Sequence, residues 1–99
     1  MYKICICDDE SIFLDKINEI VKVFFSGKSD IHVLTFSDSA KFADNIPQAE
    51  LYLLDVKMPE ISGMEIAQKI RDLDQKCSII FISSLYEPVF DSFRYTPLR

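Results

Sequence analysis

The sequence predicts one α/β domain built on a parallel sheet with helices on both faces, and three observations lead there. Four short runs rich in β-formers, Tyr2–Cys7, Ile31–Phe36, Glu50–Asp55 and Cys77–Ser83, recur along the chain. Each is followed by a stretch in which apolar residues return at helical spacing. The runs Leu51-Tyr52-Leu53-Leu54 and Ile79-Ile80-Phe81-Ile82 carry apolar residues on both faces, as strands buried between two helical layers must. Right-handed crossovers then connect strand to strand.

Taken in order, the first strand stops at Asp8-Asp9-Glu10, where the chain leaves the sheet. From Ser11 the period changes. Phe13, Ile17, Ile20, Val21 and Phe24 form the inward side of a helix, with Ser11 as its cap and Gly27 as its terminator. After the second strand, Ser37-Asp38-Ser39 offers several N-caps to a short helix bearing Ala40, Phe42, Ala43 and Ile46, closed by Pro47. The third strand ends on Asp55 and turns at Met58-Pro59. Ser62-x-x-Glu65 then has the form of a capping box and opens a helix with Met64, Ala67 and Ile70 inward, ending near Asp72 to Asp74. The fourth strand is expected to be central in an intact fold, and Glu87 to Tyr95 to form a last short helix on Val89, Phe90 and Phe93.

At 99 residues the chain holds at most one domain, with a core but little surplus stability. With 48% hydrophobic and 27% charged residues, its balance is that of a globular protein and not of a disordered tail. A net charge of -5 and a pI near 4.7 argue against direct nucleic-acid binding, which needs clustered Lys and Arg. No apolar run approaches the roughly 20 residues of a membrane span, and the first residues lack a signal peptide's layout. The expectation is a cytoplasmic protein with no membrane partner. Cys5, Cys7 and Cys77 all lie in apolar runs, which suits reduced core thiols. Cys5-x-Cys7 has the spacing of half a metal site, but His32 is the chain's single His, and it reads as a structural or surface residue.

The chemistry gathers at strand ends. In open parallel sheets, ligands collect at the carboxyl ends of the strands, and here those ends carry Asp8-Asp9-Glu10, Asp55 and Ser83. If the first and third strands are neighbours, Asp8, Asp9 and Asp55 converge. Two unit charges about 4 Å apart repel by roughly 4 kcal/mol at an effective dielectric of 20, so the cluster calls for protonation or a hard divalent cation. Mg²⁺ suits it, with these three carboxylates, the Lys57 backbone carbonyl and waters as ligands.

Cys7-Asp8-Asp9-Glu10, Leu54-Asp55-Val56-Lys57-Met58-Pro59 with Ser62-Gly63-Met64, and Ile80-Phe81-Ile82-Ser83-Ser84 together resemble the receiver domain of a two-component response regulator, from residue 1 to about residue 95. The resemblance implies a flavodoxin-like doubly wound sheet in strand order 2-1-3-4, and a single receiver domain over residues 1–99. It implies that Asp55 accepts a phosphoryl group from a sensor histidine kinase, that Asp8 and Asp9 hold Mg²⁺, Asp8 partly through water, and that the Ser83 hydroxyl turns toward the new phosphate. Such a chain is an acceptor and not a turnover enzyme; it would control a DNA-binding output domain. The tail Phe90-Asp91-Ser92-Phe93-Arg94-Tyr95 resembles regulators whose output domain is of the LytTR type.

The departure from the family is at the end. Receiver domains carry a Lys on a fifth strand, and no Lys follows Lys76. Aligning Pro97 with the family's Lys-Pro step puts Thr96 in the Lys position, but the 12 residues between Ser83 and Thr96 are too few for two loops, a helix and a strand. The expectation is a receiver truncated before strand 5, lacking that strand and the last helix. Lys57 reads most simply as a solvated loop residue; the sharper expectation is that its ammonium, two residues past Asp55, partly replaces the absent Lys. The fourth strand would be an open apolar edge, paired with a second copy or masked by Tyr86 to Arg99. A non-phosphorylated interaction module is the alternative. A metal-dependent phosphatase with Asp55 as nucleophile is a weaker one, because those enzymes need a second Asp two residues on, where Lys57 stands.

Overall fold

In the computed structural model, which describes residues 1–83, the chain alternates strand and helix: β1 (Tyr2–Cys7), α1 (Ser11–Phe24), β2 (Ile31–Phe36), α2 (Ser39–Asp44), β3 (Leu51–Asp55), α3 (Gly63–Leu73) and β4 (Ser78–Ile82). All pairings are parallel and the order is β2-β1-β3-β4, as the sequence implied. The expected helix at Glu87 to Tyr95 and the masking tail lie outside the described residues.

Alternation along β1 divides the core. Ile4 and Ile6 point to one face, where Leu14 and Val21 of α1 meet them together with Leu53. Cys5 and Cys7 point to the other, against Phe42 of α2, Ile66 and Ile70 of α3, and Tyr52 and Leu54 of β3. Burying both faces of β1 and β3 explains their unbroken apolar runs.

The structure corrects the reading in several places. Glu10, not Ser11, is the N-cap of α1 and offers no side-chain cap bond. The reason is local: the Glu10 N–H donates to Asp8 Oδ1 at 2.9 Å, which holds Glu10 extended and starts the helix directly after the acidic triplet. Ile20 and Phe24, read as inward, are 66% and 77% exposed. Leu14 and Val21, seven residues apart, set the phase of α1 against the sheet, and the other two fall on its flank. Met64 is exposed for a similar reason, since Ile66 and Ile70, one turn apart, take the inward positions. β4 begins one residue after Cys77; in the described sheet it is an edge strand with Ile80 and Phe81 partly exposed, in line with the expected order 2-1-3-4.

Other signals hold. Asp38 caps α2, accepting from the Lys41 N–H at 3.1 Å. Both bonds of the Ser62 and Glu65 capping box are present, at 3.2 and 3.0 Å. Gly27 sits at φ +85 just beyond α1, a conformation that favours glycine. Among the described residues, no helix is long and apolar enough to cross a membrane.

These placements separate α3 residues that look alike in sequence. Ile66→Ala is expected to lower unfolding free energy by about 2–5 kcal/mol through transfer and cavity terms. Met64→Ala should stay within about 0.5 kcal/mol. Urea denaturation of the two variants checks the assignment of the buried face; equal losses would contradict it.

Candidate functional site

Register builds the site. Cys7 is level with Leu54 across the β1–β3 pair, so the next residues, Asp8 and Asp55, leave the sheet side by side. The Asp8 N–H still donates to the Phe36 carbonyl at 3.0 Å, and the Val56 N–H to the Ile82 carbonyl at 2.9 Å. The strand ends are therefore held in place by neighbours on either side. Asp8 and Asp55 are 0% and 1% exposed, while Asp9 is open to solvent. One carboxylate oxygen from each of the three lies within 4.8 Å of the others. The convergence expected from the sequence is present.

The electrostatics are those of a crowded, dry pocket. Burial pushes the Asp55 carboxyl up to about 6, the Asp8 charge adds to the rise, and a hydrogen bond from the Lys57 backbone opposes it. Burial also raises Asp8, against the pull of the Glu10 amide, and Asp9 raises it further. Asp8 Oδ2 and Asp55 Oδ2 are buried without any hydrogen-bond partner among the described residues. Such atoms are expensive unless a ligand meets them. The donors are all oxygens and carry no thiolate or imidazole, so the set fits a hard divalent cation such as Mg²⁺, which keeps several waters.

Of the remaining predicted residues, Ser83 borders this cluster through Asp8. Ser83 follows β4 directly and, with Asp8, lines a cavity of about 230 Å³ between α1 and the end of β4. The Lys57 side chain is exposed. Ser84 lies outside the described residues. His32 is exposed on β2, level with Lys3 near the opposite end of β1. The three cysteines are free and buried; burial pushes the Cys5 thiol up to about 11 and that of Cys7 to about 12. Cys5 and Cys7 stay protonated, and all three cysteines sit in the core. Cys7 Sγ lies 3.8 Å from Met58 Sδ, which tucks the loop after Asp55 into the apolar interior.

Two contributors were not legible as such. Gly63 appeared only as part of a motif, yet a Cβ there would overlap the Asp55 carbonyl; a glycine at the first position of a helix, where most residues serve, was the available signal. Glu10 works through its amide, which no side-chain pattern reports.

Residues 4–92 match the family model of the response regulator receiver domain. The chain belongs to that family. An uncharacterized response regulatory protein of Staphylococcus epidermidis is 34% identical over 100 residues, covering 96% of this receiver chain and 35% of that protein. The chain thus spans about a third of the length of that relative. Among solved structures, the BeF3-activated receiver domain of DrrB is 27% identical with a TM-score of 0.71, over 95% of this chain and 77% of that one. The histidine kinase ThkA in complex with the response regulator TrrA gives 27% identity and a TM-score of 0.61, over 85% and 70%.

The raised carboxyl has a consequence for stability. With a folded-state pKa near 6 against an ordinary 3.8, the folded receiver holds an extra proton between those values, and stability falls as pH rises through that window. The unfavourable charge is fully developed above it. In metal-free buffer at neutral pH, Asp55→Asn is therefore expected to raise the melting temperature, by about 4–8 °C for each kcal/mol relieved. In mildly acidic buffer below the folded-state value the gain should shrink. Circular dichroism melts at both pH values check this, and a lower Tm for Asp55→Asn at neutral pH would contradict it.

Proposed function

We propose that this chain is a phospho-accepting receiver in which Asp55 takes a phosphoryl group from a sensor histidine kinase, in a Mg²⁺-dependent reaction, to control a DNA-binding output domain. The observation that carries the reading is the buried Asp55 Oδ2, without a hydrogen-bond partner among the described residues, beside Asp8 and Asp9 at the carboxyl edge of the sheet. The reading is supported by family membership and by likeness to a receiver solved with its kinase. The output domain is supported by the relative's length, of which this chain covers 35%.

Asp8, Asp9, Asp55 and the Lys57 carbonyl would hold the Mg²⁺. When bound, the ion supplies neutralisation of charge on the transferring group. The chain's own residues do the rest. Deprotonated Asp55 presents a nucleophilic oxygen held by β3 and by the Lys57 backbone hydrogen bond. As its O–P bond forms, the P–N bond to the kinase histidine breaks and the imidazole leaves with the bonding pair. The product carries close to two negative charges and three acceptor oxygens, toward which the Ser83 hydroxyl turns as donor. The domain is consumed as an acceptor rather than turning over, and it acts in the cytoplasm. The β4 edge, with Ile80 50% and Phe81 40% exposed, is the surface we assign to pairing between copies; with a charge of -5, the chain itself does not contact nucleic acid.

Incubation with Mg²⁺ and a small acyl phosphate, followed by intact mass, tests the proposal. The expected result is gain of one phosphoryl group that is lost in Asp55→Asn and after chelation. No gain under any condition sinks the acceptor reading in favour of a non-phosphorylated interaction module.

A further inference from the structure

The first turn of α3 meets the acceptor strand through backbone alone. Gly63 is buried, and its N–H donates to the Val56 carbonyl at 3.0 Å. A Cβ on Gly63 would overlap the Asp55 carbonyl and lie 3.3 Å from Val56 Cα. These neighbours are main-chain atoms that no rotamer change can move aside. An added methyl therefore requires displacement of either α3 or the Asp55–Val56 peptide. α3 is firmly seated, by its capping box and by Ile66 and Ile70 at 0% and 1% exposure. Val56 is hydrogen-bonded to both α3 and β4, so relieving the overlap from either side moves the Asp55–Val56 peptide out of its present seat.

We infer that Gly63 is a positioning residue: by lacking a side chain it lets α3 seat against the Asp55–Val56 peptide, and that seat sets where the Asp55 carboxylate stands relative to Asp8 and Asp9. The inference rests on reading the three carboxylates as a divalent cation site and needs no phosphoryl transfer.

The test is Mg²⁺ affinity by isothermal titration calorimetry, with folding followed by circular dichroism. Gly63→Ala is expected to bind Mg²⁺ about 10–100-fold more weakly, the range seen when groups that orient metal ligands are altered. Ser62→Ala removes a cap bond from the same turn without adding an atom; it should lower Tm while keeping Mg²⁺ affinity within threefold of wild type. Gly63→Ala with unchanged affinity and reduced Tm would make the glycine merely structural and overturn the inference. If Gly63→Ala does not fold, amide NMR of the wild-type chain decides. The Gly63 amide should move during Mg²⁺ titration with the midpoint of the Asp8 and Asp9 amides, and stay still in Asp55→Asn; a still Gly63 amide in the wild type overturns the inference. Wild-type protein that binds no Mg²⁺ at millimolar concentration also overturns it. Normal Mg²⁺ binding that depends on Gly63, with no phosphoryl uptake, leaves it standing and removes only the acceptor reading.

Discussion

The proximity of two buried carboxylates, Asp8 and Asp55, is the constraint to which the carboxyl end of this fold is fitted. Each is almost fully buried and keeps one oxygen without a hydrogen-bond partner among the described residues. Domains of this size have a net stability on the order of 5–15 kcal/mol, and the arrangement survives because the local backbone offsets part of its cost. The Glu10 amide donates to Asp8, and the Lys57 backbone hydrogen-bonds Asp55. Neither donor is a cation. Full neutralisation by an Arg or Lys would have removed the demand for an external ion, whereas two amides reduce the charge's cost and leave the demand in place.

What keeps the carboxylates together is the sheet, and what keeps the sheet in register is ordinary core packing. A slip of β1 by one residue past β3 would turn Ile4 and Ile6 away from Leu53 and carry Asp8 away from the level of Asp55. The same alternation that sorts Cys5 and Cys7 from Ile4 and Ile6 thus specifies the geometry of the site. Position is inherited from the rigid scaffold and not from loop conformation. Met58 against Cys7 extends this economy to the loop that follows Asp55.

The parts of the fold legible in the sequence were those with a local physical signature. β-rich runs of six or seven residues, a Ser-x-x-Glu box and an Asp ahead of a short helix each mark an element by local chemistry, and all of them hold in the structure. The site was legible because carboxylates at the ends of apolar runs have few structural reasons to be there. Helical phase was less legible. Ile20, Phe24 and Met64 are as apolar as the residues that do face the sheet, and only the placement of Leu14, Val21, Ile66 and Ile70 settles which stripe is inward. Amide donors such as Glu10, and the space required at Gly63, are properties of backbone approach, which residue identity reports weakly.

The backbone around Asp55 also bounds how a chemical change there can travel. The Val56 N–H bonds to the Ile82 carbonyl of β4, and the Val56 carbonyl accepts from the Gly63 N–H of α3. One residue past Asp55, a single amino acid is therefore hydrogen-bonded to both neighbouring elements. A shift of the Asp55–Val56 peptide must strain one of these bonds or carry its partner along. Replacing one carboxylate charge by a phosphoryl group of nearly two would act at the head of this junction, with β4 leading directly into Ser83. Because packed elements respond by rearranging between discrete positions rather than by bending smoothly, the β4 end and the first turn of α3 are the places where such a charge would first be converted into movement.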